Sequence, residues 1–181
     1  KLYQKFFDEY HKTVAQILLT RDGIENSLRR KNARNTIHQL IDMGIIPVVN
    51  ENDTVITDEI EFGDNDTLSA AVATLIQADL LLILTDTDGV YTADPHLHHS
   101  AQKVRKVMKA SDDLKDVDVN GSSMLGSGGM ASKVAAAELC REHNVDVVIA
   151  DGADPSVIMK VLEGKDLGTF FVSAATSQLA R

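Results

Sequence analysis

Leu80-Leu81-Leu82-Ile83-Leu84 decides the fold class. An aliphatic run without polar alternation reads as a strand covered on both faces, as strands of a parallel sheet are. Val14–Leu19, Ile45–Val49, Val145–Ala150 and Thr169–Val172 read as further apolar strands. Helical patterns separate them. Leu2, Phe6, Phe7 and Tyr10 recur at helical spacing. Residues from Ile24 to Met43 read as one long helix, with Ile37, Leu40 and Ile41 on one face and Gly44 as its stop. Asp66 reads as the N-cap of a helix over Thr67 to Gln77. Lys133 to Glu142 and Pro155 to Leu162 complete the set, the latter with proline at its first turn. Strands alternating with helices predict an α/β domain with a mainly parallel sheet. The stretch from Val117 to Gly129 is the most loop-like and is expected to be the most mobile.

The bulk properties limit the function classes. A chain of 181 residues suffices for a sizeable core. Lys+Arg 18 against Asp+Glu 27 gives a net charge of −9. An acidic chain without a basic tail is a poor candidate for nucleic acid or an anionic membrane. Any anionic ligand must be held by a local cluster of donors. The lone cysteine, Cys140, cannot form an internal disulfide and fits a reducing, cytoplasmic setting; its helical context predicts a buried structural thiol. No signal peptide is visible, and the best apolar run, Ala70 to Leu84, is broken by Gln77 and Asp79. The chain opens in mid-pattern without an initiator methionine, so it is expected to be N-terminally incomplete.

In a parallel sheet, ligands sit beyond the carboxyl ends of the strands. The unusual polar residues fall there. Asn50-Glu51-Asn52-Asp53 follow the second strand, Thr85-Asp86 the third and Asp151-Gly152 the fourth. Gly63-Asp64-Asn65-Asp66 precedes a helix. Asn and Asp are ordinary turn and cap residues. In the functional reading, Asp53 and Asn65 hold the ammonium and polar groups of an amino acid, and Asp66 orients a catalytic lysine. Gly126-Ser127-Gly128-Gly129-Met130-Ala131-Ser132-Lys133 is more specific. Its glycines let backbone N–H groups approach phosphate oxygens, and the helix that follows adds a favourable dipole. Lys133 can meet charge developing on a transferred phosphoryl group. No glycine directly precedes Lys133, so this is not a Walker A loop. Gly126-x-Gly128-x-x-Ala131 mimics a dinucleotide fingerprint but follows no apolar strand. His96, His98 and His99 lie in a polar loop without matching ligands, and no metal site is expected there. Arg29, Arg30, Lys31 and Arg34 read as an exposed helix face.

Ile46-Pro47-Val48-Val49-Asn50-Glu51-Asn52-Asp53-Thr54-Val55, Phe62–Ala70, Leu84-Thr85-Asp86 with Gly89–Pro95, and Gly126–Met130 with Lys133 together resemble the glutamate 5-kinase motifs of the amino acid kinase family. They come in that family's order and spacing over nearly the whole chain. The resemblance implies a three-layer αβα sandwich and a single kinase domain over 1–181. The substrate half would span about 1–80 and the nucleotide half about 80–175, with no extra C-terminal domain. It implies phosphorylation of the γ-carboxylate of L-glutamate with ATP and Mg²⁺, the first step of proline synthesis. Asp53 and Asn65 would bind glutamate. Thr85 and Asp86 would contact the nucleotide, and Ser127, Gly128, Gly129, Met130, Ala131, Ser132 and Lys133 would wrap its phosphates. Lys133 would stabilise the transferred group, with Asp66 holding the lysines. Proline as feedback inhibitor, a dimer or tetramer, and a downstream glutamyl phosphate reductase are further implications. The family's opening strand and glycine turn, with a second phosphate-binding lysine, are not in this chain. Catalysis by the chain alone is therefore expected to be impaired.

Overall fold

The computed structural model describes residues 2–52, 64–93, 95, 97–115, 117 and 129–179, the side chains of 177–179 excepted. The chain divides into two compact units, Lys1–Leu68 and Ser69–Arg181. The division falls inside a helix rather than in a linker.

In the first unit, α1 (Leu2–Asp8) leads into β1 (Val14–Leu19), and β2 is Ile46–Glu51. β1 and β2 pair in parallel, from Val14 opposite Ile46 to Leu19 opposite Glu51. A parallel pair needs a crossover. The sequence pattern predicts one helix from Ile24, but the structure supplies two: α2 (Arg21–Glu25) and α3 (Ser27–Asp42). The break is at Asn26, whose backbone turns extended (φ −70°, ψ 123°). Its side chain accepts from the N–H groups of Leu28 and Arg29 at 3.1 and 3.2 Å. Asn competes well for local backbone donors, so a cap displaces a helical residue here. Thr20 caps α2 in the same way, accepting from Gly23 N–H at 3.1 Å. Gly44, at φ +71°, ends α3 as its sequence position predicts. Ile37 is the buried anchor of α3, while Arg29, Arg30, Lys31 and Arg34 are exposed as expected.

The second unit contains most of α4 (Asn65–Ile76), then β3 (Leu80–Thr85), β4 (Val90–Tyr91), β5 (Lys103–Val104), β6 (Lys106–Val107) and α5 (Ala110–Asp113). α6 (Met130–Glu142), β7 (Asp146–Asp151), α7 (Val157–Leu162), β8 (Thr169–Phe171) and α8 (Ala174–Leu179) follow. A four-stranded sheet has the order β3-β7-β8-β6. β3 and β7 are parallel from Leu80 opposite Asp146 to Thr85 opposite Asp151, and β6 and β8 are also parallel. β8 runs antiparallel to β7, and β4 and β5 form a separate antiparallel hairpin. The pairing is thus mainly parallel, with β7–β8 and the β4–β5 hairpin the antiparallel exceptions. β1–β2 is a sheet of its own, so the strands read from sequence as one array fall in separate units. α6 starts at Met130, three residues before the predicted start, and α7 starts at Val157, beyond Pro155. The strand predicted from Ile45 starts at Ile46, and the last strand ends at Phe171.

Alternation along the strands sorts their side chains to two faces. Val147 and Ile149 of β7, Ile83 of β3 and Phe171 of β8 enter one core with Ala70 and Ala73 of α4 and Met130, Ala136, Ala137 and Cys140 of α6. Val148 and Ala150 face the other way, onto Val157 and Val161 of α7 with Leu80, Leu82 and Phe170. The second unit therefore has helix–sheet–helix layers, and this explains the continuous apolar run of β3. Small residues on α6 let its axis approach the sheet.

Cys140 is fully buried, as expected, with its thiol 3.9 Å from the Ala70 carbonyl oxygen. Burial pushes the thiol up to about 11. Its folded pKa lies above the unfolded value, so this group favours the fold below pH 9 and loses that effect as pH rises towards 11. In a thiol-labelling assay at pH 8, the native chain is expected to react at least about 100-fold more slowly than the denatured chain. Gly168 sits at φ +72°, where a Cβ would lie 2.1 Å from the Ile149 carbonyl oxygen. Gly164 has φ +77° but open space. Gly164→Ala is expected to cost about 1 kcal/mol in thermal unfolding. Gly168→Ala should exceed roughly 3 kcal/mol, because backbone must move as well.

Candidate functional site

In the first unit, Asn50, Glu51 and Asn52 lie at the carboxyl end of β2, and Asn52 N–H donates to the Leu19 carbonyl at 2.8 Å. Asp53 lies outside the described residues. Asn65 and Asp66 occupy the first turn of α4. Asp66 is not the N-cap the sequence pattern suggests. Asp64 does that work: its carboxylate accepts from Thr67 N–H at 2.7 Å. A cap accepts from N–H groups two or three residues ahead, so the shift to Asp64 puts Asp66 inside the helix. Both acids lie where the helix dipole favours negative charge.

In the second unit, the β3–β7 register sets Thr85 beside Asp151 at the carboxyl edge of the sheet. Asp86 follows, exposed, and accepts from the Thr85 hydroxyl at 3.1 Å. Gly152 N–H donates to the Thr85 carbonyl at 2.8 Å. A Cβ on Gly152 would stand 3.0 Å from the Leu84 Cβ, so glycine keeps the two strand ends close. Asp151 accepts from Ala153 N–H at 2.8 Å. The Asp154 carboxyl is pushed down to about 2 by the Ser156 hydroxyl and backbone N–H and by Lys160. It is thereby tied to the start of α7.

α6 reaches β7 through the turn at His143 and Asn144, the latter at φ +63°, and runs back along that strand. Thirteen helical residues and six strand residues each span roughly 20 Å. The N-terminus of α6 therefore comes to the same edge as Thr85 and Asp151. Gly129 caps it without a side-chain hydrogen bond. Ser132 donates both its N–H and its hydroxyl to the Gly129 carbonyl, at 3.1 and 3.0 Å. Met130 is buried, and Ala131, Ser132 and Lys133 are half-buried on the first turns. Ser127 and Gly128, with most of the predicted mobile stretch, lie outside the described residues.

Sequence reasoning missed two features beside this edge. The Thr87 hydroxyl is buried without a hydrogen-bond partner among the described residues. Asp88, next along, accepts from the Tyr91 hydroxyl at 2.7 Å and from Lys103 at 3.1 Å. The Tyr91 hydroxyl first, then Lys103, holds the Asp88 carboxyl below its usual range, and the carboxylate raises Tyr91 in turn. The Asp-rich run Asp86-Thr87-Asp88 was the available signal. His98 and His99 are exposed, and no group of three metal-ligating side chains occurs among the described residues. No helix among them is long and apolar enough to cross a membrane.

Each unit thus presents polar residues at strand or helix ends. The second combines a glycine-capped helix N-terminus, a lysine on its first turns and a hydroxyl-rich loop, an arrangement suited to phosphate oxygens. The cap assignment is checkable by thermal unfolding. Asp64→Ala is expected to cost about 1 kcal/mol.

The amino acid kinase family matches residues 1–151. A glutamate 5-kinase of Clostridium perfringens is 42% identical over 176 residues, covering 95% of this chain and 65% of that protein. One from Symbiobacterium thermophilum is 47% identical over 169 residues, covering 93% of this chain and 64% of its own length. One from Caldanaerobacter subterraneus is 44% identical over 172 residues, covering 95% of this chain and 46% of its own. The chain therefore spans between about half and two thirds of the length of these curated relatives. Among solved structures, UMP kinase from Bacillus anthracis superposes with a TM-score of 0.63 at 19% identity, over 96% of this chain and 64% of that one. Isopentenyl phosphate kinase from T. acidophilum gives 0.61 at 18%, over 92% and 63%. At such identities these two bear on the fold alone.

Proposed function

We propose that this chain, which belongs to the amino acid kinase family, carries the site of a glutamate 5-kinase. The reaction is transfer of the γ-phosphoryl group of ATP to the γ-carboxylate of L-glutamate. It gives L-glutamyl 5-phosphate, the opening step of proline biosynthesis. One observation supports the step from fold to chemistry: α6 leads by a short turn into β7, whose carboxyl end lies beside Thr85, so a helix running back along β7 brings its N-terminus towards that edge.

Asp53 and Asn65 bind glutamate, the carboxylate meeting the substrate ammonium and the amide its polar groups. Thr85 and Asp86 contact the nucleotide. Ser127, Gly128, Gly129, Met130, Ala131, Ser132 and Lys133 surround its phosphates. Lys133 and Asp66 serve catalysis, Lys133 by meeting charge on the phosphoryl group in flight. The Thr87 hydroxyl, buried without a partner among the described residues, supports a polar ligand at this edge, since an unpaired buried hydroxyl is costly. The described residues offer no three-ligand metal cage, and a Mg²⁺ ion held chiefly by substrate phosphates needs none. When bound, the ion would neutralise phosphate charge. Proline feedback, a dimer or tetramer, hand-over to a glutamyl phosphate reductase and a cytoplasmic setting belong to the same reading.

A full-length protein carrying these residues is expected to form glutamyl hydroxamate from glutamate, ATP and hydroxylamine. Aspartate and acetylglutamate should not substitute for glutamate. Lys133→Ala should lower kcat about 100- to 1,000-fold with little change in thermal stability. Product with UMP or another phosphate acceptor, and none with glutamate, would overturn the reading.

A further inference from the structure

Thr169 opens β8, yet its side chain belongs to another part of the second unit. It is completely buried. Its Oγ1 accepts from Val90 N–H at 2.8 Å and donates to the Val104 carbonyl at 2.5 Å. One hydroxyl thus uses both its roles to join β8 to both strands of the β4–β5 hairpin, whose partners lie 79 and 65 residues away in the chain. Val90 also pairs with Val104 in that hairpin, so the hydroxyl sits at the hairpin's open end, away from its connecting loop.

The same contact reaches the loop after β3. Gly89, at φ +134°, passes so close that a Cβ there would lie 2.7 Å from the Thr169 Oγ1 and 3.1 Å from the backbone of Gly168 and Thr169. Gly168 in turn lies against the Ile149 carbonyl of β7. A continuous set of close backbone approaches therefore runs from the centre of β7, through Gly168 and Thr169, to the end of the Thr85–Gly89 loop. The loop begins at β3, fixed against β7, and ends at this hydroxyl.

We propose that Thr169 is a positioning residue for nucleotide binding: it fixes the far end of the Thr85–Gly89 loop without touching the ligand. The inference rests on the nucleotide reading of that loop given above. Valine has the shape of threonine but neither the acceptor for Val90 N–H nor the donor for the Val104 carbonyl. Thr169→Val takes away the side-chain acceptor of the Val90 N–H and the side-chain donor to the Val104 carbonyl, and so loosens the tie between β8 and the end of the loop. Thr169→Ser keeps the hydroxyl.

The test is calorimetric titration of the chain with Mg²⁺ and the non-hydrolysable analogue AMP-PNP, and separately with glutamate. Thr169→Val is expected to weaken AMP-PNP about tenfold, the scale of one neutral hydrogen bond, with glutamate affinity unchanged. Thr169→Ser should stay within about twofold of the parent for both ligands. Equal AMP-PNP affinity in parent and Thr169→Val, or equal weakening of both ligands, would overturn the positioning role. A second measurement does not depend on the variant folding. The Val90 amide signal of the parent should shift on AMP-PNP binding and gain protection from hydrogen exchange, and an unmoved signal would also overturn it. Failure of the parent to bind AMP-PNP at all would instead remove the nucleotide reading itself.

Discussion

The six-residue parallel ladder between β3 and β7 is the constraint on which the second unit depends. It sets Thr85 beside Asp151 and forces both strands to be apolar on two faces, since helices must cover each. Because α6 returns along β7, the same ladder decides where the N-terminus of α6 falls. A slip of one residue would exchange the faces of β7, moving Val147 and Ile149 out of the core with Ala136, Ala137 and Cys140. The chemistry at the edge and the packing under it are therefore one arrangement.

Small residues make that arrangement possible. Ala136, Ala137 and Cys140 let α6 lie close to the sheet. Gly152 brings the ends of β3 and β7 together, and Gly168 and Gly89 let the chain pass within contact distance of β7 and Thr169. The edge carries its polar groups on backbone held in place by neighbouring backbone. That is the rigidity phosphoryl transfer asks for, where position and charge matter more than covalent participation.

The α/β class was legible in the aliphatic run Leu80–Leu84 and in the alternation around it. The family was legible in four motifs whose order no single segment could supply. What escaped has local or long-range causes. The break at Asn26 escaped because the apolar spacing continues across it, while one amide side chain takes two backbone donors. The cap moved from Asp66 to Asp64 because two acids and an asparagine stand together, and only geometry selects among them. The reversed direction of β8 escaped because three residues carry no directional signal. Thr169 reads in sequence as an ordinary strand start. Its partners are distant in the chain, so its role has no local signature. Asp53, Ser127 and Gly128 were legible in the polar turn after the second strand and in the glycine-rich run, and lie outside the described residues.

The most direct measurement is a backbone amide NMR titration of this chain with Mg²⁺ and AMP-PNP, then with glutamate. The nucleotide analogue is expected to shift the amides of Thr85–Gly89, Gly129–Lys133 and Gly152. Glutamate should shift those of Asn65 and Asp66 instead. Nucleotide-induced shifts confined to other parts of the second unit, with the edge of β3 and β7 unmoved, would contradict the nucleotide reading of this edge.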